Sequence, residues 1–295
     1  MVVCFGAHVS TSKGIPYAIK YTKEVLNGDI LQIFSQSPRS LRGPSHKTIK
    51  DIPKIIDAIK TYNVKIVSHS PYMINLSKDI STHQYVMDCL LKDLQFIDKV
   101  GGIGSVVHMG KSLKLSKKDA LKNMILNIKY ILSKYNGNAK LIIETSCGQG
   151  TELLSNLDEI GEFYNHGING TSFTESEKSK IEFCIDTCHI FVAGYDMRSP
   201  KIVNSYFSKF NKLIGNQNLA LIHFNDSAKK LGSNVGRHAN IGEGYIGNPD
   251  LDGNIDGLKA VFKKASQLSI PMVLETPDIH PCLLYTSPSP RDEQS

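Results

Sequence analysis

The chain has 295 residues, an apolar fraction of 41% and a formal net charge of +6 at pH 7. This length fits one large α/β domain or two small ones, and the apolar fraction supports an ordinary globular core. The mildly basic charge permits a polyanionic partner without identifying one. The six cysteines form no CxxC pair, which predicts free thiols in a reducing compartment rather than a disulfide framework.

Two further features bear on where the protein acts. No apolar run reaches the length of about 18 residues that a transmembrane helix needs, so no membrane association is predicted. The N-terminus lacks a basic segment followed by a long apolar one, so no secretory signal is expected. Together these features predict an intracellular protein of the cytoplasm or the nucleus.

Eight short apolar runs alternate along the chain with longer segments of helical periodicity. The predicted strands are Val2–His8, Asp29–Phe34, Lys65–His69, Ser105–His108, Lys140–Glu144, Ile181–Asp186, Leu219–His223 and Met272–Glu275. The predicted helices are Ile15–Leu26, Thr48–Asn63, His83–Val100, Lys117–Tyr135, Gly150–Tyr164, Pro200–Ile214 and Asp256–Leu268. Eight alternations predict an α/β fold, a single-domain (β/α)₈ TIM barrel. No GxGxxG or GxxxxGK turn follows a strand, which argues against dinucleotide-binding and P-loop folds.

The C-terminal segment differs in character from the rest of the chain. A helix is expected to follow the last strand, but Pro288 and Pro290 forbid a regular helix there. We therefore expect residues 1–282 to form the barrel domain and residues 283–295 to be a non-native or disordered tail.

Six consecutive predicted strands, the third to the eighth, end in residue types that bind metals. They are His69, His108, Glu144, Asp186, His223 and Glu275. Two more histidines, His189 and His238, follow on the loops. One histidine at a strand end is more often structural, but the carboxyl ends of all barrel strands converge on one face. Six such residues in succession therefore favour a metal site of two or three ions, with zinc or manganese preferred over calcium.

Three segments closely resemble the signatures of the endonuclease IV family of apurinic/apyrimidinic endonucleases. They are residues 69–75 (HSPYMIN), 184–189 (CIDTCH) and 222–227 (IHFNDS). Further matching motifs are GAHVS at 6–10, Glu144-Thr145 followed by GQG at 148–150, Arg237-His238 followed by GEG at 242–244, and Leu274-Glu275-Thr276. The resemblance runs in order from residue 5 to about residue 278.

This resemblance implies a trinuclear zinc site. The implied ligands are His69, His108 and Glu144 for the first zinc, Glu144, Asp186, His223 and Glu275 for the second, and His189 and His238 for the third. Glu144 would bridge the first two ions, with a shared hydroxide as nucleophile, so that Glu144 and Glu275 are the implied catalytic residues. Clustered divalent ions are the usual apparatus for hydrolysing phosphodiesters.

The resemblance also implies a substrate. The family cleaves duplex DNA on the 5′ side of an abasic site, leaving a 3′-hydroxyl and a 5′-deoxyribose phosphate, and it trims blocked 3′ ends. It kinks the duplex and flips out the abasic nucleotide. The matching DNA-contact residues would be Arg39, Tyr72 and Met73, although Tyr72 alone would be read as a loop packing residue. We expect the protein to act as a monomer.

One departure from the family pattern concerns the third zinc. The family has Asp-Arg-His where this chain has Gly236-Arg237-His238. Glycine offers no side-chain ligand, so the sequence predicts weaker occupancy of the third position.

Two other functions remain open at this stage. One is a sugar isomerase or epimerase, because such barrels also place Glu, Asp and His at this rim, although usually around one or two ions. The other is a catalytically impaired protein that binds abasic DNA, as a result of Gly236. Turnover of keto-sugars would identify the first, and tight binding of abasic duplex without nicking would identify the second.

Overall fold

The computed structural model describes residues 4–278, and eight parallel strands form its closed barrel. The strands are β1 Phe5–His8, β2 Ile30–Ile33, β3 Lys65–His69, β4 Gly104–His108, β5 Lys140–Glu144, β6 Ile181–Asp186, β7 Leu219–His223 and β8 Met272–Leu274. Each strand pairs with its neighbours in chain order, and β8 closes against β1. The predicted single-domain (β/α)₈ barrel is therefore confirmed. The predicted tail, residues 283–295, lies outside the described residues.

Helices connect the strands on the outside of the barrel. The α-helices are α1 Ile15–Glu24, α2 His46–Lys50, α3 Ile52–Tyr62, α4 Ile80–Lys99, α5 Lys117–Ser133, α6 Leu157–Glu162, α7 Glu175–Lys178, α8 Thr187–Val192, α9 Pro200–Leu213 and α10 Ile255–Leu268. A π-helix spans Phe163–Asn169, and 3₁₀ turns span Asn216–Asn218 and Pro249–Leu251. A short antiparallel ribbon pairs Asp226–Ser227 with His238–Ala239. Within residues 4–278, no helix is both long and apolar enough to cross a bilayer.

The strands are apolar because both of their faces are buried. One set of side chains from seven strands packs together as a small separate cluster, which comprises Ile30, Val67, Val106, Ile142, Cys184, Ala220, Leu221 and Val273. The larger cluster combines the alternate strand residues with the apolar faces of the helices. Period-2 alternation therefore assigns successive strand residues to the two faces of the sheet. Strand β7 is an exception, because the register shift between β6 and β7 leaves Ala220 unpaired and the adjacent Ala220 and Leu221 both join the small cluster.

Several predicted boundaries were wrong, and each has a local cause. The helix predicted over Thr48–Asn63 is divided at Asp51, because Pro53 lies in the first turn of α3 and cannot continue a preceding helix. The helix predicted over Gly150–Tyr164 starts only at Leu157, where the Asn156 side chain caps it.

Other elements differ from prediction at their ends. Helix α4 starts at Ile80, three residues before the predicted His83, because Asp79 caps it. Strand β8 ends at Leu274, so Glu275 is the first residue beyond the strand. Smaller shifts of one or two residues occur at β2, β4 and the ends of α1, α5 and α9. Strand β1 was predicted from Val2, and Val2 and Val3 lie outside the described residues, within which the strand spans Phe5–His8.

A buried carboxylate ties α4 to β3, to β4 and to the segment that follows β2. Asp93 of α4 is fully buried and accepts hydrogen bonds from the hydroxyls of Ser35, Ser68 and Ser105. Ser68 lies in β3 and Ser105 in β4, whereas Ser35 follows β2. Since a buried carboxylate is tolerated only with such partners, this network fixes the helix against the strands.

Candidate metal centre

The structure brings the predicted strand-end residues together at the carboxyl end of the barrel. Their ligand atoms form two groups in which every atom lies within 4.8 Å of the others. The first group is His69, His108 and Glu144, and the second is Glu144, Asp186, His223 and Glu275. The imidazole and carboxylate donors of both groups are the ligand types that zinc takes, so the residues fit the implied ions.

Glu144 belongs to both groups and is fully buried. Its Oε2 atom lies 3.3 Å from His69 Nε2 and 3.6 Å from His108 Nδ1, and its Oε1 atom lies 2.8 Å from His223 Nδ1. Burial disfavours the charge, but the imidazoles of His108 and His223 outweigh it and hold the pKa of this carboxyl well below its usual range. Glu144 is therefore an anion that faces both groups.

The imidazole of His108 is neutral at physiological pH. Burial lowers the pKa of His108 to about 4, although the charge of Glu144 opposes this effect. A neutral imidazole is the form that binds a metal.

Gln32 orients two members of the second group from strand β2. Its Oε1 atom lies 2.8 Å from His223 Nε2, and its amide Nε2 donates to Glu275 Oε1 at 2.5 Å. With Nε2 of His223 bound to Gln32, Nδ1 is left facing Glu144 and Glu275 at 2.8 and 3.1 Å. The same amide lies 3.1 Å from His8 Nδ1, so His8 contacts the group through Gln32 and Glu275. The sequence analysis did not identify Gln32. A polar residue between Leu31 and Ile33 in an otherwise apolar strand could have indicated a side chain that faces the site.

We expect Gln32→Leu to weaken metal binding by about 10- to 100-fold, the usual effect of removing an orienting hydrogen bond behind a ligand. Competition with a metal chelator measures the affinity. Gln36→Leu is the matched control, because Gln36 contacts Cys89 and Gly43 instead of the site. Equal affinities for Gln32→Leu and the unmodified protein would show that the ligands need no support from β2.

Asp186 connects the end of β6 to the loops beyond it. Its Oδ1 atom accepts from the backbone N–H of His189 and thereby caps α8. Its Oδ2 atom accepts from the amide of Asn225 at 2.8 Å and lies 3.3 Å from His238 Nε2. Asn225 also accepts from the backbone N–H of Glu275. Asn225 is a second residue that sequence reasoning left without a role.

The two loop histidines are held in the same way. Nδ1 of His189 lies 3.0 Å from the carbonyl oxygen of Thr145, and Nδ1 of His238 lies 3.0 Å from that of Glu275. A carbonyl only accepts, so each imidazole donates from Nδ1, and Nε2 is the ring nitrogen that faces away from that carbonyl. In His238 this Nε2 atom faces the carboxylate of Asp186. The two rings lie 5.6 Å apart, between centroids. The ligand atoms of His238, Asp186 and Cys188 also lie within 4.8 Å of one another.

Asp226 shapes the loop that carries His238. Its buried carboxylate accepts hydrogen bonds from five backbone N–H groups at 2.7 to 3.2 Å, from Ser227, Gly242, Gly244, Ile246 and Gly247. A side chain at Gly244 would lie 2.5 Å from this carboxylate, so only glycine permits the contact. The loop after β7 is thus wrapped around a single anion.

A cavity of about 580 Å³ opens above the two groups, and Tyr72 is the one predicted DNA contact among the residues that line it. Tyr72 lines the cavity, and its ring lies 5.4 Å from that of Phe34 and 6.2 Å from that of His108. Tyr72 and Met73 are 64% and 51% exposed. Arg39 is exposed as well, on the adjacent loop, where Pro38 accepts from the backbone of Tyr72. Two large apolar side chains are therefore presented to solvent beside the ligands.

Comparison with known proteins agrees with this geometry. Residues 26–281 match the xylose isomerase-like TIM barrel family. The putative endonuclease 4 of Acanthamoeba polyphaga mimivirus is 33% identical over 284 residues, covering 94% of this chain and 86% of that protein. The chain therefore belongs to the xylose isomerase-like TIM barrel family and, within it, to the endonuclease IV enzymes.

Solved structures share the fold. Endonuclease IV from Thermus thermophilus superposes with a TM-score of 0.77 at 24% identity, covering 96% of this chain and 95% of that one. A D-tagatose 3-epimerase-like protein superposes with a TM-score of 0.67 at 18% identity, covering 96% and 93%. At these low identities, the two superpositions establish the fold alone, and the chemistry has to be inferred from the residues of the site.

Proposed function

We propose that this protein is a zinc-dependent endonuclease that hydrolyses duplex DNA on the 5′ side of an abasic site. The products would be a 3′-hydroxyl and a 5′-deoxyribose phosphate, and blocked 3′ ends would be trimmed by the same site. The observation that carries the proposal is the position of Glu144, whose two carboxylate oxygens face two ligand groups at once. The endonuclease 4 relatives support the same activity.

The first group would hold one zinc and the second group another, with Glu144 between them. When bound, such ions stabilise charge on phosphate oxygens and lower the pKa of a bound water. The protonation states and hydrogen bonds of the surrounding residues favour the binding of such ions. The neutral imidazole of His108 and the anionic Glu144 are in their ligand forms without a further proton transfer, and Gln32 fixes the ring of His223.

The rim residues fit an abasic substrate. Tyr72 and Met73 would fill the space left by the missing base, because exposed apolar side chains can wedge between base steps. Arg39 would contact a phosphate on the same side. The loss of stacking at an abasic site lowers the free energy needed to extrude that nucleotide into the cavity.

The decisive test is nicking of an end-labelled duplex that carries one tetrahydrofuran abasic analogue, with zinc present. We expect a single nick whose 3′ end a DNA polymerase extends, and loss of nicking after metal removal with a chelator. The same duplex without the analogue is the control. Binding without nicking, even in excess zinc, would instead identify an abasic-DNA-binding protein. Turnover of a ketohexose without nicking would identify a sugar epimerase.

A further inference from the structure

Leu113 has a backbone conformation that is rare for its residue type. It lies in the β4–α5 loop, residues 109–116, with a φ of 54°. Leucine seldom adopts this left-handed conformation, because its Cβ atom then approaches the following carbonyl oxygen. Leu154 has a similar φ of 58°, but its side chain is 1% exposed and packs in the core. Leu113 is 57% exposed, so core packing does not offset its strain, and such positions are typical of binding sites.

Two neighbouring loops hold the β4–α5 loop in this conformation. The buried Asn75, in the loop after β3, donates from its amide to the carbonyl oxygen of Lys111 at 3.0 Å and accepts from the backbone N–H of Lys111 at 2.9 Å. Thr151, in the loop after β5, accepts from the backbone N–H of Ser112 at 2.8 Å through its carbonyl oxygen. Its hydroxyl accepts from the backbone N–H of Leu113 at 3.1 Å. The strained backbone is therefore fixed from both sides.

The same contacts place Leu113 beside the proposed DNA contacts. Asn75 lies two positions after Met73, in the loop whose two exposed apolar side chains are proposed to enter the DNA. On the other side, Nζ of Lys111 lies 3.1 Å from Oε1 of Glu152, which lines the cavity. Leu113 is thus presented to solvent near the mouth of the cavity, next to the loop of Met73.

The charge beside Leu113 fits a polyanion. Lys114 is exposed and lies between Leu113 and Leu115, which are both exposed as well. Exposed leucines alone would fit many surfaces, but a lysine between them complements a phosphate. Because the adjacent loop carries the proposed wedge residues, one duplex can contact both loops.

We propose that Leu113 and Lys114 form a further contact with the DNA duplex. Leu113 packs against the sugars of the groove beside the lesion, and Lys114 contacts a phosphate. The strained loop fixes Leu113 before DNA binds, so less conformational freedom is lost on binding. This proposal rests on the proposed function, because it names another contact of the same substrate.

Leu113→Asn tests the apolar contact in the full chain with zinc present. Asparagine adopts the left-handed conformation more readily than leucine, so the variant should resist urea at least as well as the unmodified protein. We expect KM for abasic-site nicking to rise about 3- to 10-fold, since DNA would bury about half of a leucine side chain. The value of kcat should not change, because this contact is equally strong before and during the reaction. Leu126→Asn, at a 48% exposed leucine of α5, is the matched control and should leave KM unchanged.

Lys114→Gln tests the phosphate contact through its salt dependence. The slope of log kcat/KM against log salt concentration should become shallower by about 0.9, the value for one phosphate contact. A purely structural role would leave this slope unchanged. Lys212→Gln, at an exposed lysine of α9, should keep the slope of the unmodified protein.

Three outcomes would overturn the assignment: an unchanged KM in Leu113→Asn, an equal rise of KM in Leu126→Asn, or an unchanged salt slope in Lys114→Gln. If Leu113→Asn does not fold, Leu113→Gly replaces it, because glycine adopts a positive φ without strain. Absence of nicking by the unmodified protein would reject the proposed function itself. Nicking by all variants with the KM and salt slope of the unmodified protein would reject only the contact at Leu113 and Lys114.

Discussion

Glu144→Gln is expected to lower kcat/KM for abasic-site nicking by about 10²- to 10³-fold, the scale on which loss of one electrostatic group acts in an active site. Glutamine keeps the shape of the side chain but removes the charge that His69, His108 and His223 face at 2.8 to 3.6 Å. Both ligand groups lose their common anion at once. Steady-state nicking and metal content per chain, measured on the same preparation, test this expectation.

The control for this substitution is Glu162→Gln, an exposed carboxylate in α6 that lies outside both ligand groups. It should retain full activity and full metal content. If Glu144→Gln nicks at an unchanged rate, the shared carboxylate has no role in the reaction. If it loses metal without losing activity, the activity does not depend on the centre.

Asp226→Asn is expected to lower the free energy of unfolding by about 2–5 kcal/mol, because each buried N–H group left without an acceptor costs about 1–3 kcal/mol. An amide offers one acceptor oxygen to the five backbone N–H groups that the carboxylate now binds, and its NH₂ group would face donors. Urea denaturation measures the change. Asp250→Asn, at an exposed carboxylate nearby, should change stability by less than about 0.5 kcal/mol.

A second readout separates this role from general stability. His238 lies on the loop that Asp226 holds, so metal binding at His189 and His238 should weaken more than binding at the group of His69, His108 and Glu144. Equal weakening at both positions would indicate that Asp226 stabilises the barrel as a whole. An unfolding free energy close to that of the unmodified protein would show that the loop does not need the carboxylate.

The sequence predicted the members of both ligand groups because parallel pairing makes strand ends meet. His108 pairs directly with Glu144 between β4 and β5, and Asp186 pairs with His223 between β6 and β7. These contacts follow from chain order once a barrel is assumed. Each strand end could therefore be assigned to the rim without knowledge of any side-chain conformation.

Other parts of the site depend on geometry that the sequence does not carry. Gln32 acts through both ends of its amide, and its partners are 191 and 243 residues away. The start of the helix at Leu157 depends on the Asn156 cap and on the preceding turns, which carry no helical periodicity.

The carboxylate of Asp93 has a genetic consequence. Ser68 directly precedes His69 on β3, so the two side chains point to opposite faces, one toward α4 and one toward the barrel mouth. Ser105 and His108 of β4 are three residues apart, so their side chains also point to opposite faces of the sheet. Inherited changes at Asp93, Ser68 or Ser105 would therefore lower DNA-repair activity by altering the positions of β3 and β4, although these residues lie on the helix side of the sheet. Loss-of-function alleles should appear at codons whose residues touch neither ion nor DNA.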